Sequence, residues 1–215
     1  MRMLRRPVLT LCATALSLAA PVALAHPHIF VDTALSVRVD ASGLPVGIEV
    51  TWKYDELYSL LIFEDMGLDP DYDGVLTAPE LAEIQRFDMH WIEGFEGDLY
   101  ASGSDGRLAF GPPEPISTTV DGGRIETRHF RPFAATAPRE LSIRAYDPTF
   151  YTAYDLTGGV HAPAGCTVAI EKADVEAAQA RLAKELGSEA ADTDDFPEVG
   201  DAFADTVTLT CEAGS

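Results

Sequence analysis

The segment Asp69-Pro70-Asp71-Tyr72-Asp73-Gly74-Val75-Leu76-Thr77-Ala78-Pro79-Glu80 carries Asp at its first, third and fifth positions, Gly at its sixth and Glu at its twelfth. That is the spacing of an EF-hand calcium loop. Carboxylates of Asp69, Asp71 and Asp73 converge while Gly74 makes the sharp turn. The Val75 carbonyl and Thr77 fill further directions, and Glu80 closes the shell with two oxygens. The same residues also spell an Asp/Gly turn followed by a helix start, because Thr77-Ala78-Pro79-Glu80 is a capping box with Pro in the first turn. The two descriptions coexist. No second loop of this kind is present, since Asp105-Gly106 and Asp121-Gly122 lack the preceding acidic ligands and the closing Glu. With four Met in the whole chain there is little material for the Met-rich groove of a calcium sensor. A structural clamp of weak, extracellular-type affinity is expected.

Arg2, Arg5 and Arg6 precede an apolar run from Val8 to Leu24 that ends Ala23-Leu24-Ala25. This is the n-region, h-region and A-x-A site of a secretory signal, so residues 1–25 are predicted to be cleaved and 26–215 to form one periplasmic domain. No later apolar stretch is long enough to span a membrane. Loss of the three arginines takes the formal charge from −20 to −23. That balance excludes nucleic acid as a partner and favours cations. Cys166 and Cys211 remain after cleavage, and an oxidising compartment makes a disulfide between them the expectation.

The hydrophobic pattern predicts an α+β fold: an antiparallel sheet or sandwich core with an inserted helix–EF-hand-like loop–helix over 55–94 and one helix in the C-terminal region. Ile29, Val31, Thr33, Leu35, Val37 and Val39 alternate with their neighbours as a strand does, and the alternation stops at Ala41-Ser42-Gly43. A second strand spans Pro45 to Tyr54. Asp55 caps a helix to Met66 whose apolar face is expected to be Leu57, Leu60, Leu61 and Phe63, with Gly67 as its stop. Beyond the loop, Leu81, Ile84, Phe87, Trp91 and Ile92 recur at helical spacing up to Gly94. Short strands fill Asp98 to Tyr154, a helix follows from Ala173 to Leu186, and a last strand covers Thr206 to Cys211.

Cleavage after Ala25 exposes His26-Pro27-His28 with a free amine on His26. In an extended segment residues i and i+2 leave one face, so both imidazoles can close on one ion, a donor set suited to zinc, nickel or copper. A frayed terminus is the plain alternative. Pro27 excludes a square-planar peptide chelate, which needs an amide proton to lose at the second residue. Asp32 lies about 13 Å further along the strand and is assigned a separate or structural role. His129 and Asp147 are the other candidates for the transition-metal set. Each has a structural counterpart, a hydrogen-bonded sheet histidine and a turn former before Pro148. His90 and His161 carry no local support.

Taken together, His26-Pro27-His28-Ile29-Phe30-Val31-Asp32, the loop Asp69 to Glu80, Tyr146-Asp147-Pro148-Thr149-Phe150-Tyr151 and Phe203 to Cys211 resemble a bacterial periplasmic family of unknown function, labelled as the periplasmic component of an uncharacterised ABC-type transport system. The resemblance covers most of the mature chain. It implies association with NicO-type nickel/cobalt transporters or zinc uptake, hence a metal-handling partner of an inner-membrane transporter. The chain lacks a long His-rich loop, which limits its soft-metal capacity to a few imidazoles. The alternative function is a periplasmic copper carrier or copper oxidase-like protein that uses the mature N-terminal His. No Ser/His/Asp order or partnered Cys nucleophile supports hydrolysis, and a non-enzymatic role is expected.

Overall fold

Alternation of apolar and polar residues makes ten strands, and a computed structural model describes residues 27–189 and 197–213. In chain order the elements are β1 (Ile29–Val39), β2 (Pro45–Tyr54), α1 (Glu56–Met66), α2 (Ala78–Glu83), a 3-10 turn (Phe87–Met89), β3 (Leu99–Gly103), β4 (Gly106–Leu108), β5 (Glu114–Asp121), β6 (Arg124–Pro132), β7 (Glu140–Ala145), β8 (Thr152–His161), β9 (Cys166–Glu171), α3 (Val175–Glu189), α4 (Gly200–Phe203) and β10 (Thr206–Cys211). The strands form two five-stranded sheets, ordered β5-β6-β2-β1-β8 and β4-β3-β7-β10-β9. Leu35, Ile48, Val50 and Ile125 of the first sheet share one buried cluster with Leu141, Ile143, Val207 and Leu209 of the second. The fold is α+β with few, short helices.

The first sheet is mixed, not antiparallel throughout, because β1 runs parallel to β8 from Ile29 opposite Thr152. Both neighbours of β1 are thereby paired, and its inward face, Val31, Thr33, Leu35 and Val37, is buried. On the outer face, Glu49 of β2 lies between Arg38 of β1 and Arg128 of β6 and pairs with both. Burial pushes the Glu49 carboxyl up, but the two guanidiniums outweigh it and hold the pKa below its ordinary value.

Two expectations for the inserted segment are corrected. Helix α1 has the predicted ends, with Asp55 accepting from the Tyr58 N–H and Gly67 closing the C-terminus in the left-handed region. Its buried stripe, however, is Ser59 and Phe63, while Leu57, Leu60 and Leu61 face outward. The reason is a backbone donor on the sheet: the Ile125 N–H of β6 donates to Ser59 Oγ at 3.0 Å, which turns that side of the helix inward.

The helix predicted from Leu81 to Gly94 ends at Glu83. Gln85 pairs with Thr118 of the edge strand β5, donating to its carbonyl and accepting from its N–H, as a neighbouring strand would. Arg86 then turns left-handed, with φ 67°. The chain continues across the sheet face, where the half-buried Asp88 carboxylate accepts from the hydroxyls of Tyr54 and Thr127. Tertiary hydrogen bonds override the local periodicity here.

Cys166 and Cys211 are disulfide-bonded across the β9–β10 pair. The bond closes a loop whose ends are 45 residues apart. Removing both sulfurs in a Cys166→Ala, Cys211→Ala variant is expected to cost roughly 2–4 kcal/mol of unfolding free energy in urea titrations. Two free thiols in protein recovered from an oxidising compartment would contradict the bond.

Candidate metal centres

The acidic loop is built from the backbone outward. Asp69 is 3% exposed, and its two oxygens accept the N–H groups of Asp73 and Gly74 at 3.1 and 3.0 Å. Glu80 reaches back over the loop: one oxygen accepts from the Asp69 N–H at 3.1 Å, and the other from the Thr77 N–H and hydroxyl at 2.7 and 2.6 Å. The two ends of the twelve-residue segment are thus tied by the residue that would close a calcium shell. These hydrogen bonds, the Thr77 hydroxyl first, lower the Glu80 pKa.

Gly74 fits two constraints at once. Its φ is 73°, and a side chain there would press on the backbone of Gly123 in the β5–β6 turn, 3.3 Å away. The loop backbone therefore passes close against the β5–β6 turn of the first sheet. Carboxylate oxygens of Asp69, Asp71 and Asp73 all lie within 4.8 Å of one another. Among the described residues no other set of three His, Cys, Asp or Glu side chains does so. The donors are all oxygen, as a hard cation requires, and a carboxylate oxygen that accepts one hydrogen bond keeps a lone pair for an ion.

The predicted transition-metal residues separate. His26 lies outside the described residues. The His28 N–H donates to the Tyr151 carbonyl at 2.8 Å, and its ring lies 4.8 Å from that of Tyr151. Asp147 stands in the same corner: it accepts from the Thr149 N–H and hydroxyl and from the Thr152 N–H, so it forms the turn that precedes β8. Gly200 of α4 packs on this turn, its N–H donating to the Pro148 carbonyl, and Phe203 stacks on Phe150 at 3.8 Å.

His129 is elsewhere. It pairs with Val50, which pairs with Leu35, so it sits seven residues along β1 from His28, about 23 Å away in the strand direction alone. It cannot join the N-terminal donors. The imidazole is fully buried, with both ring nitrogens lacking a hydrogen-bond partner and its ring edge-on to Trp52 and Trp91, so it is not the hydrogen-bonded sheet histidine either. Burial, and secondarily the charge of Arg131, pull its pKa down to about 3. Asp32 is structural, ion-paired with Arg124 at 2.7 Å and accepting from Thr157 at 2.7 Å.

One buried carboxyl has no sequence signal. Asp98 is 8% exposed, has φ 51°, and accepts the Tyr154 hydroxyl at 2.9 Å. It borders a cavity of about 580 Å³ flanked by the stacked rings of Tyr100 and Tyr146. Burial pushes its pKa up to about 7, opposed by the Tyr154 hydrogen bond and aided by the Asp147 charge. In the sequence it is only the Asp that follows Gly97.

Residues 11–211 match the family described as protein of unknown function (DUF1007). The chain belongs to that family. The match includes the acidic loop, the Asp147 turn and both bridged cysteines. No curated protein and no solved structure matches the chain. No helix among the described residues is long and apolar enough to cross a membrane.

The two buried titratable groups predict opposite pH dependences. An unfolded His binds its proton near pH ~6.5, whereas folded His129 does so only at about 3. The unfolded chain therefore holds more protons in that window, and stability is lost as pH falls through it, by at most ~1.4 kcal/mol per pH unit. His129→Phe should flatten this acid limb in urea melts. Asp98 keeps its proton up to about 7 when folded but to ~3.9 unfolded, so its contribution is lost as pH rises between them. Asp98→Asn should abolish that decline and exceed the wild type in stability at alkaline pH.

Proposed function

We propose that the chain is an exported metal-handling protein in which the acidic loop holds calcium as a structural clamp and the mature N-terminus takes a divalent transition metal, zinc or nickel/cobalt, on behalf of an inner-membrane transporter. The observation that carries the calcium part is the convergence of the Asp69, Asp71 and Asp73 carboxylates within 4.8 Å, with Glu80 tied back to the first loop residue through the Asp69 N–H. Val75 and Thr77 complete the expected ligand set. The segment differs from a switching EF-hand in its second helix, which is only Ala78–Glu83. A short helix fixed to β5 suits a clamp.

For the transition metal, the supporting geometry is an anchored His28. Its backbone is held by Tyr151 at the start of a strand, with its side chain exposed, so that His26 and His28 would offer neutral imidazoles to a borderline ion. Asp147 is the nearest of the other proposed residues, two hydrogen bonds away through Thr152 and Tyr151. The export signal and the disulfide support a periplasmic location. The transporter is inferred from the family resemblance and stands or falls with the metal.

Calcium should raise the melting temperature, and Asp69→Ala with Glu80→Ala should remove the gain. Binding to the native state alone is worth about 2.7 kcal/mol at a hundredfold excess over Kd. An unchanged melt in millimolar calcium would sink the clamp. Zinc titration of processed protein should show affinity that weakens as pH falls through about 6, where imidazoles protonate, and that drops in His26→Ala and His28→Ala. Equal affinity in all three proteins would remove the N-terminal site.

A further inference from the structure

Helix α1 is apolar on both sides yet lies at the surface. Tyr58, Ile62, Phe63 and Met66 pack inward, while Leu57 and Leu61 are 64% and 52% exposed. A helix that is hydrophobic all round is normally covered all round. Between α1 and the acidic loop runs a groove of about 350 Å³ lined by Leu60, Phe63, Glu64, Leu68, Asp69 and Tyr72. Tyr72 is 69% exposed and holds φ 55°, a conformation that a bulky side chain rarely adopts. Its ring stands on the groove's rim rather than in the core.

The border of this face is uniformly acidic. Glu64 and Asp65 are exposed on α1 itself, and neither has a basic partner within 4.0 Å among the described residues; Asp71 and Asp73 add to this charge only while the loop holds no calcium. We propose that the outer face of α1 and the adjoining groove form a docking site for a protein segment that carries apolar side chains interspersed with Lys or Arg. Charge decides between occupants. A second copy of a chain with net charge −20 would bring one acidic rim against another. An anionic lipid surface is repelled for the same reason. A basic, amphipathic segment satisfies both the leucines and the rim.

The inference is independent of which metal the chain binds, and calcium is kept in the buffer so that the two can fail separately. The probe is a fluorescein-labelled amphipathic peptide of leucine and lysine, titrated into the full exported chain and compared with its leucine and glutamate counterpart. The leucine–lysine peptide should bind and protect residues 57–61 and 69–72 from hydrogen exchange. The Leu57→Ser, Leu61→Ser variant should bind it about tenfold more weakly, the size expected for two leucine contacts partly lost. Ile92→Ser, which removes a leucine-sized exposed side chain outside this face, should bind as the wild type does; both variants change exposed residues, and thermal melts check that they fold. Equal binding by the Leu57/Leu61 variant would overturn the proposal, since general charge attraction alone would then account for the affinity. So would a dimer in sedimentation that the variant dissolves, which would assign the face to a second copy, or variant-sensitive binding to phosphatidylglycerol vesicles, which would assign it to lipid. Failure of the unmodified chain to bind the leucine–lysine peptide, with calcium stabilisation retained, would leave the clamp intact and sink this proposal alone.

Discussion

Strand β1 is the constraint on which the rest of the arrangement depends. It forms a hairpin with β2 on one side and a parallel pair with β8 on the other, so residues 123 positions apart in sequence become neighbours at its first residues. A parallel pair cannot be closed by a tight turn and needs a long connection. Here that connection contains every element of the fold from β2 to β7. Because Ile29 aligns with Thr152, His28 is held against the Asp147–Tyr151 turn. The position of His28 is therefore a product of sheet register, not of local sequence.

Several guanidiniums are drawn against the backbone of this acidic chain, and one of them, Arg131, is buried. Arg131 is 3% exposed, donates to the carbonyls of Glu96 and Gly111, and lies over the rings of Trp91 and Phe110. Burial lowers its pKa to about 10, which leaves it charged at neutral pH. Arg139 and Arg144 donate to backbone carbonyls at Ser42, Gly43, Asp201 and Ala204, and Arg124 to those of Lys53 and Tyr54. Guanidinium forks satisfy several acceptors at once, so they staple loops that no regular ladder covers. What remains at the surface is a field of carboxylates that concentrates cations.

What could be read from the sequence follows the range of the interactions. β1, β2, α1 and β10 have the bounds expected from alternation, from Asp55 and Gly67 as caps, and from Gly43 as a break, all of which are encoded within a few residues. The acidic cluster was equally local. The inward side of α1 was not, because Ser59 faces the core to satisfy an N–H on β6, 66 residues away. The truncation of α2 likewise depends on Gln85 meeting Thr118. His129 looked like a metal donor by residue type, and only the register across three strands shows that it is walled in by Trp52 and Trp91. Asp98 and the short helix α4 left no local trace, since their environment is assembled from β8, the Asp147 turn and the C-terminal segment.

The register also brings both proposed metal centres to one end of the first sheet. Val31 of β1 lies opposite Tyr54 of β2, and Lys53 opposite Glu126 of β6, so the β5–β6 turn, the start of α1 and the N-terminal end of β1 are level with one another. The acidic loop rests on that turn through Gly74 and Gly123, and Asp55 joins α1 to β1 by exchanging hydrogen bonds with Phe30. Calcium in the loop would neutralise three converging carboxylates and fix the backbone between α1 and α2 without touching the imidazoles, which prefer a softer ion. Under the proposed function the two ions then divide the work by chemistry: oxygen donors stiffen the end of the sheet, and nitrogen donors a short distance away exchange the cargo. The exposed face of α1 borders the same end. A partner seated there would approach His28 from a surface whose shape calcium in the acidic loop would maintain.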